Sequence, residues 1–389
     1  MTRKNFIKIC GILGVSIPFQ ASLSSCEKED IDAPNFSGKV LIIGAGAGGL
    51  SSGYLLKQQG IEFEILEASP DYGGRMKINT DFADFPIPLG AEWLHTDTSI
   101  FQKMVNDSAI QVNVNTVNYN SETDTNALWE DGELTVSGLD DSDIKFVNSS
   151  WFNFFDEYIV PFIADRISYN TIVQSIDYSG EQAVVHTQNG QYIADKVIVS
   201  VPLKILQDGD IGFQPTLPQD KLDAIAEPLI WAGFKAFIEF SEKFYDTQID
   251  VEISPASDGE KLYYDAAYGQ NTSKHILGLF AVGKPALDYM ILSGDALRDF
   301  MLSELDDMYS NQATPNYQKH ITQNWNNEPF IKGGYMTSHA DWRTVRELGK
   351  SVADKIYFAG GAYTDGEDWV AVHTIAQSAK DAVEEIVNG

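Results

Sequence analysis

Three glycines, Gly44, Gly46 and Gly49, follow an apolar run and precede a stretch of helical character. A second apolar run ends at Glu67, 23 positions after Gly44. Gly44 permits a tight turn, Gly46 lets backbone approach a pyrophosphate, and Gly49 lets the helix pack on the strand. The helix N-terminus stabilises phosphate charge, and Glu67 can accept hydrogen bonds from ribose hydroxyls. The pattern therefore predicts a dinucleotide site.

The elements needed to hold this turn recur in the middle and at the end of the chain. Val197–Val201 is an apolar run that predicts a buried strand returning to the first unit. Lys355–Gly361 predicts a strand that enters another glycine turn, and the helix expected after it has apolar residues at helical spacing. We expect a nucleotide domain built from residues 38–95, 166–210 and 345–389, and a second domain built from 96–165 and 211–344.

Local patterns predict further elements in both domains. Residues 233–241 alternate, so that Phe234 faces one side of a strand and Lys235 the other. Asn189 and Gly190 predict a hairpin turn between two short strands. Residues 113–150 are rich in Asn, Asp, Ser and Thr, which is typical of loops.

Composition excludes several classes of function. The net charge of −29 argues against nucleic acid as a partner, because phosphate binding needs a basic surface. The same charge would attract cationic small molecules, or it only maintains solubility. The two cysteines, Cys10 and Cys26, leave the rest of the chain without a disulfide framework, a thiol nucleophile or a cysteine metal site. No spacing of His and carboxylate residues predicts a metal site of another kind.

The first 37 residues predict export and anchoring. A basic start at Arg3 and Lys4 precedes an apolar stretch that is too short for a comfortable membrane span. Leu23-Ser24-Ser25-Cys26 resembles the lipobox of bacterial lipoproteins. We expect a signal peptide over 1–25, a polar tether over 26–37, and an outer-membrane lipoprotein that faces the periplasm or the surface. Its membrane contact would be a lipid on Cys26, and an ordinary secretory signal is the alternative.

Six blocks, in order, resemble segments of the flavin-dependent amine oxidases of the monoamine and polyamine oxidase type. The blocks are Gly44–Glu67, Gly73–Arg75, Leu89–His95, Asp195–Leu203, Trp325 with Glu328–Tyr335, and Tyr357–Gly361 with Val372-His373. The resemblance implies an α/β (α+β two-domain) fold, in which a Rossmann-type FAD-binding domain is joined to a mixed-sheet substrate domain.

The resemblance also implies which residues bind FAD. Glu67 would bind the adenosine ribose, Arg75 would face the pyrophosphate or flavin, and Val173 would hold adenine through its backbone. Gly90 and Ala91 would lie against the isoalloxazine. The other cofactor contacts implied are Gly44, Gly46, Gly49, Trp325, Gly360, Gly361, Ala371 and Val372. Arg75 could instead pair with a surface acid, and Trp325 could be ordinary core.

Three residues are candidates for catalysis. Lys235 matches the family lysine that holds a water near flavin N5, unless it is a solvated strand lysine. His95 would have either an active-site or a structural role. Glu92 could anchor a cationic amine or face solvent.

The chain also departs from the family. Gly361 stands where members usually carry a glutamate. Residues 333–337 contain no cysteine, so FAD is expected to be non-covalent. Ala371 replaces one aromatic of the usual substrate cage, and Trp369, Tyr335 and Tyr363 are candidate replacements.

The implied activity is oxidation of a primary or secondary amine. Hydride would pass to flavin N5, the imine would hydrolyse, and oxygen or another acceptor would reoxidise the flavin, with oxygen giving hydrogen peroxide. One alternative is a desaturase or porphyrinogen-type oxidase of the same fold. Another is a lipid-anchored flavin-binding or electron-transfer protein with little oxidase activity.

Overall fold

A five-stranded parallel sheet carries the predicted glycine turn, and its strand order is β10-β2-β1-β14-β21. The computed structural model describes residues 35–253 and 258–389. The strands of this part are β1 (Lys39–Ile43), β2 (Glu62–Leu66), β3 (Ile78–Asn79), β4 (Ile87–Pro88), β5 (Trp93–Leu94), β6 (Thr116–Asn118), β7 (Thr125–Glu130), β8 (Glu133–Gly138), β9 (Ile144–Phe146), β10 (Ile167–Ser168), β11 (Val173–Asp177), β12 (Ala183–Thr187), β13 (Gly190–Ala194), β14 (Lys196–Val199), β15 (Gly212–Gln214), β16 (Gly233–Phe240), β17 (Gln248–Val251), β18 (Gly259–Asp265), β19 (His275–Gly283), β20 (Tyr317–Asn324) and β21 (Ile356–Phe358).

Helices cover the sheets. In the described part of the chain they are α1 (Ala47–Gln58), α2 (Ser99–Val105), α3 (Trp151–Tyr158), α4 (Leu203–Gln207), α5 (Gln219–Ala226), α6 (Lys284–Met290), α7 (Gly294–Met308), α8 (Ala313–Asn316), α9 (Trp342–Gly349) and α10 (Val372–Asn388). No helix among the described residues is long and apolar enough to cross a membrane. The predicted signal peptide, the lipidated Cys26 and most of the tether lie outside the described residues.

Strand β1 is central in the parallel sheet because its residues are apolar on both faces. Val40 and Ile42 pack with α1 and α10, while Leu41 and Ile43 pack in a second core with β14 and α9. Continuous apolar runs are typical of parallel strands covered on both sides. The predicted α/β class is confirmed, as is the return of the 197–201 segment as β14, which pairs with β1.

A four-stranded sheet of order β13-β12-β11-β15 lies in the same part of the chain. Its hairpin confirms the turn predicted at Asn189 and Gly190, because Thr187 pairs with Gly190. Strand β15, at 212–214, pairs with β11 and so joins this sheet, although the sequence placed its residues in the substrate domain.

A seven-stranded mixed sheet, of order β20-β16-β19-β18-β17-β7-β8, forms the main part of the second region. Phe234 in β16 packs toward α6 and α7, and Phe237 packs on the opposite face. The predicted alternation of this strand is therefore confirmed. Residues 125–138, expected as loop, form the hairpin of β7 and β8. Strand β8 is a largely exposed edge, so its polar sequence resembles that of a loop.

The two regions have separate cores within one compact unit, Asn35–Gly389. The structure differs from the predicted boundaries at 96–165. Phe101 of α2 and Trp151 of α3 pack in the same core as Val40 and Ile42, because both helices present aromatic faces to the nucleotide region. These two helices therefore belong with the nucleotide region and not with the substrate region.

Candidate cofactor and substrate site

The glycine turn between β1 and α1 has the geometry expected of a phosphate-binding turn. Gly44 has φ +101°, a value that favours glycine. A Cβ placed on Gly49 would lie 1.8 Å from the carbonyl oxygen of Gly44, so only glycine allows this approach of helix to turn. A Cβ on Gly46 would meet nothing within 4 Å. No side chain caps the α1 N-terminus, which leaves its first N–H groups available to an anion.

Glu67 is held beside this turn at the end of β2. One carboxylate oxygen accepts a hydrogen bond from the Ala45 N–H at 2.6 Å, and the other accepts one from the Ser69 N–H at 2.8 Å. A carboxylate oxygen can accept a second hydrogen bond. The orientation is therefore set by backbone, and acceptor capacity remains for the hydroxyls of a ribose.

Arg75 supplies a cation to the neighbouring cleft. Its guanidinium donates a short hydrogen bond to the Gly334 carbonyl, and within 35–253 and 258–389 it forms no ion pair with a carboxylate. The cleft is lined by Arg75, Pro202, Gly333, Gly361 and Val370 among others. The expected alternative, pairing with a surface acid, is not what the structure shows. A guanidinium with no carboxylate partner among the described residues would suit a pyrophosphate, as would the uncapped N-terminus of α1.

The segments predicted to contact the flavin ring meet at one place. The Ala91 N–H donates to the Arg75 carbonyl at 3.0 Å. A Cβ on Gly90 would lie 1.8 Å from that carbonyl oxygen and 3.0 Å from the Trp325 ring. The Trp325 indole is buried and donates to the Leu89 carbonyl at 3.2 Å. Residues far apart in sequence thus form one wall, which we call the Gly90 wall and define as Arg75, Gly90, Ala91 and Trp325.

Lys235 reaches the Gly90 wall from strand β16. Its ammonium donates to the Pro88 carbonyl at 3.0 Å, to the Gly90 carbonyl at 3.2 Å and to Glu92 Oε2 at 2.6 Å. The side chain is 3% exposed, so Lys235 is not a solvated strand lysine. These three acceptors occupy all three of its protons, and the water-holding role implied by the resemblance stays a prediction.

Glu92 is buried and does not face solvent. Besides Lys235 it contacts Lys145, with Oε1 3.4 Å from Nζ, and it accepts a short hydrogen bond from the Tyr264 hydroxyl. Burial acts to raise the pKa of Glu92, but the charges of Lys235 and Lys145 outweigh this effect, and the pKa lies below its ordinary value. Burial also lowers the pKa of Lys235, and the Glu92 carboxylate opposes this shift. The anchoring of a substrate amine by Glu92 stays a prediction.

Sequence reasoning did not identify Lys145 or Tyr264. Lys145 lies on β9, in the stretch expected as loop, and donates to the Asp265 and Ala266 carbonyls at 3.0 and 3.2 Å. Tyr264 lies on β18, with its ring 4.7 Å from that of Trp93 between centroids. Ile144 and Phe146 pack in the nucleotide-region core from one face of β9, so the alternation predicts an outward-facing Lys145 and no local signal marked it as buried.

A series of aromatic rings begins at Trp93 and extends toward the second region. Trp93 contacts Phe280 at 6.4 Å between centroids, and Phe280 stacks with Tyr335 at 6.5 Å and 20°. These three side chains, which we call the aromatic row, are half-buried and so present apolar surface that is still accessible. Of the predicted pocket aromatics, Tyr335 belongs to this row, while Trp93 and Phe280 were missed.

The other two predicted pocket aromatics lie elsewhere. Tyr363 is buried, donates to the Val201 carbonyl at 2.8 Å and packs against Phe358, and its role in the substrate pocket stays a prediction. Trp369 is half-buried and donates to the Thr337 carbonyl at 3.1 Å.

His95 and the α10 N-terminus complete the set of predicted residues. His95 Nδ1 lies 2.8 Å from Asp143 Oδ1, and the side chain is 32% exposed. At the start of α10, Ala371 is the N-cap residue without a side-chain cap, and Val372 is buried. Burial lowers the pKa of the neighbouring His373, whose Nδ1 is buried and has no hydrogen-bond partner among the described residues.

Gly360 and Val173 are the remaining residues predicted to contact FAD. Gly360 has φ +151°, and its N–H donates to Ser378 Oγ at 2.9 Å. Val173 is buried at the start of β11, where the pairing with β12 is irregular. Gly360 follows β21 of the parallel sheet and Val173 begins β11 of the four-stranded sheet, and their contacts with FAD stay predictions.

Comparison with known families decides the affiliation. The model of the flavin containing amine oxidoreductases matches residues 156–387, more than half of the chain. The chain belongs to this family. A model of the NAD(P)-binding Rossmann-like domain also matches residues 42–107, which include the glycine turn. The predicted family is confirmed, and with it the enzyme class and the FAD cofactor that membership implies.

Curated relatives of this amine oxidoreductase include two kinds of enzyme. Polyamine oxidase 3 of Oryza sativa subsp. japonica is 22% identical, and the match covers 79% of this chain and 80% of that protein. Lysine-specific histone demethylase 1B of Mus musculus is 28% identical over 42% of this chain. The chain spans about a fifth of the length of the histone demethylases that it matches.

Solved structures confirm the fold. Wild-type putrescine oxidase bound to putrescine is 14% identical and superposes with a TM-score of 0.74, covering 90% of this chain and 99% of the other. The predicted fold is thus shared with a solved putrescine oxidase.

Proposed function

We propose that the protein oxidises a small-molecule primary or secondary amine. The proposal is supported by the shared neighbours of the Gly90 wall and the aromatic row: Arg75 donates to the Gly334 carbonyl next to Tyr335, and Lys235 contacts both the Gly90 carbonyl and the Trp93 ring, 5.7 Å from its centroid. Bound FAD would accept a hydride from the α-carbon of the amine, and oxygen would take the two electrons with two protons to give hydrogen peroxide. The amine also loses its N–H proton, and water hydrolyses the resulting imine to a carbonyl compound and ammonia or a smaller amine.

The residues of this chain would hold FAD and prepare the amine. Glu67, the glycine turn and Arg75 would hold the ribose and pyrophosphate. The Gly90 wall would orient the ring, since the missing Gly90 side chain lets this segment pack closely against the Arg75 backbone and the Trp325 ring. The aromatic row would bind the carbon chain of the substrate and favour its neutral amine, because desolvation disfavours the charged form.

The relatives support an aliphatic di- or polyamine as the first substrate to test. A polyamine oxidase covers most of the chain, and a putrescine oxidase shares the fold. The histone demethylases match a smaller part of this chain, so a peptidyl-lysine substrate has less support.

Anaerobic titration of the purified holoprotein tests the proposal. A panel of mono-, di- and polyamines should include at least one compound that bleaches the flavin absorbance, and the same compound should release peroxide in air. If none of the amines reduces the flavin, the proposal is wrong. The desaturase or porphyrinogen-type alternative, kept open by Ala371 at the α10 N-terminus, then predicts reduction by a substrate without an amine. Absence of reduction by either class favours the flavin-binding or electron-transfer alternative.

We also propose that the protein is exported and lipidated on Cys26, with the polar tether separating the enzyme from an outer membrane. The support is the sequence Leu23–Cys26 after a basic start and an apolar stretch. Cys26→Ser should move the protein from the membrane fraction to the soluble fraction without changing the flavin spectrum. An unchanged membrane fraction would exclude lipidation of Cys26.

A further inference from the structure

A cluster of buried charges lies directly behind the Gly90 wall. We call it the lysine–glutamate cluster and define it as Lys145, Glu92, Lys235 and Tyr264. The side chains of Lys145, Glu92 and Lys235 are each 3% exposed. Lys145 lies on β9, and Glu92 follows Gly90-Ala91, while Lys235 and Tyr264 lie on β16 and β18 of the seven-stranded sheet. The cluster therefore connects three separate parts of the fold. Burying three charges is costly unless each has its hydrogen-bond partners.

Hydrogen bonds determine the charge of each member. Lys235 has three acceptors, the Pro88 and Gly90 carbonyls and Glu92. An ammonium has three N–H donors, whereas a neutral amine has two. Lys235 is therefore an ammonium ion in this arrangement.

We take Lys145 as an ammonium ion as well, because besides two carbonyl acceptors it has the Glu92 carboxylate as an ion-pair partner. Its Nζ lies 3.0 Å from the Asp265 carbonyl oxygen, 3.2 Å from that of Ala266 and 3.4 Å from Glu92 Oε1. The Tyr264 hydroxyl donates to Glu92, so Tyr264 is neutral and Glu92 is the acceptor carboxylate. Two ammonium ions and one carboxylate leave the cluster with one net positive charge.

The nearest additional carboxylate does not cancel this charge. Asp265 Oδ2 lies 2.7 Å from Lys243 Nζ, so Asp265 forms a neutral pair of its own. Among the described residues, Glu92 is the only carboxylate that contacts Lys145 or Lys235. Without Lys145, the Lys235–Glu92 pair alone would present almost no net charge to the Gly90 wall.

We infer that Lys145 is a positioning residue that keeps one net positive charge beside the flavin and thereby stabilises the reduced cofactor. Flavin that takes up two electrons and one proton carries one negative charge on its ring, and a nearby protein charge tunes its reduction. The charge acts through the buried Lys235, whose Nζ lies 3.2 Å from the Gly90 carbonyl oxygen, and buried charges are weakly screened. The inference rests on the placement of the flavin at the Gly90 wall given under Proposed function, and on no particular substrate.

The test is the midpoint potential of the bound flavin, measured with dithionite against a reference dye. Lys145→Met should shift the reduction equilibrium toward oxidised flavin by about tenfold, the order expected for one charge in a buried site. Lys145→Arg, which keeps the charge, should restore the wild-type value. Lys274→Met is the matched control, because Lys274 pairs with Glu239 at 2.8 Å on another part of the sheet. The midpoint potential of the flavin in this variant should equal that of the wild type.

A loss of fold is separated from a loss of charge in two ways. Lys145→Gln removes the charge but can still donate to the Asp265 and Ala266 carbonyls, and it replaces the Met variant if that variant does not bind FAD. A wild-type potential in either neutral variant, or a lowered potential in Lys145→Arg, overturns the inference. Because dithionite is the reductant, failure of the protein to oxidise amines would refute the proposed function and leave this measurement intact.

Discussion

Alanine substitutions at Gly49 and Gly46 should impair different properties of the protein: stability at Gly49 and FAD binding at Gly46. At Gly49 the new Cβ would lie 1.8 Å from the Gly44 carbonyl oxygen, whereas ordinary contact begins at 3.4 Å. The obstacle is backbone, so α1 must move away from the turn. At Gly46 the Cβ meets no protein atom within 4 Å and points into the space that fits a pyrophosphate.

The expected magnitudes follow from these distances. Overpacking at Gly49 costs about 1–3 kcal/mol or more, against about 1 kcal/mol that alanine gains over glycine inside a helix. We expect Gly49→Ala to lose about 2 kcal/mol of apoprotein stability and FAD affinity with it. Gly46→Ala keeps an extended conformation at φ −80°, so its apoprotein should lose less than about 1 kcal/mol as an N-cap residue. Its FAD affinity should fall by about tenfold or more, which corresponds to about 1.4 kcal/mol.

Denaturant unfolding of the apoproteins and FAD titration by flavin fluorescence measure the two effects separately. The packing argument is refuted if Gly49→Ala unfolds like the wild type. The binding argument is refuted if Gly46→Ala binds FAD with unchanged affinity. Equal losses of stability in both variants would mean that the two glycines do not have the different roles assigned to them.

Three further predictions concern single side chains. Glu92→Gln should destabilise the protein by about 3–5 kcal/mol at pH 7, because it leaves two buried lysines without their carboxylate. The folded pKa of Glu92 lies below its unfolded value, so the stabilisation by Glu92 is complete above about pH 4.5 and is lost on further acidification. Below that pH the difference in unfolding free energy between Glu92→Gln and the wild type should therefore narrow. A constant difference down to about pH 3 would contradict this prediction. Glu67→Gln should weaken FAD binding by about tenfold, because the glutamine N–H₂ group would face one of the two backbone N–H donors that now bind Glu67. An unchanged FAD affinity in a fluorescence titration would exclude a role of Glu67 in FAD binding. Trp93→Ala should raise the amine concentration needed for half-maximal flavin reduction by about tenfold, while Trp129→Ala on β7 should not; equal effects would remove Trp93 from the substrate pocket.

Local patterns predicted the cofactor part of the site because its chemistry is local. Gly44, Gly46 and Gly49 lie in one turn, and Glu67 is one strand away, so their spacing specifies their positions. The alternation of β16 likewise predicted that Lys235 and Phe234 face opposite sides. Such patterns do not show which distant strand a side chain will meet, which is why Lys145 and Tyr264 were not expected beside Lys235.

The sequence alone determined the α/β nucleotide unit, the FAD turn and the inward face of β16, because these depend on contacts between residues close in the chain. Only the tertiary structure decided the partners of those residues. Lys235 and Glu92 are 143 positions apart, and they meet because β16 crosses behind the Gly90 segment. Lys145 joins them from a stretch whose polar composition is typical of loops. A buried charge takes its state from such distant partners, so the electrostatics of the site is a property of the folded chain.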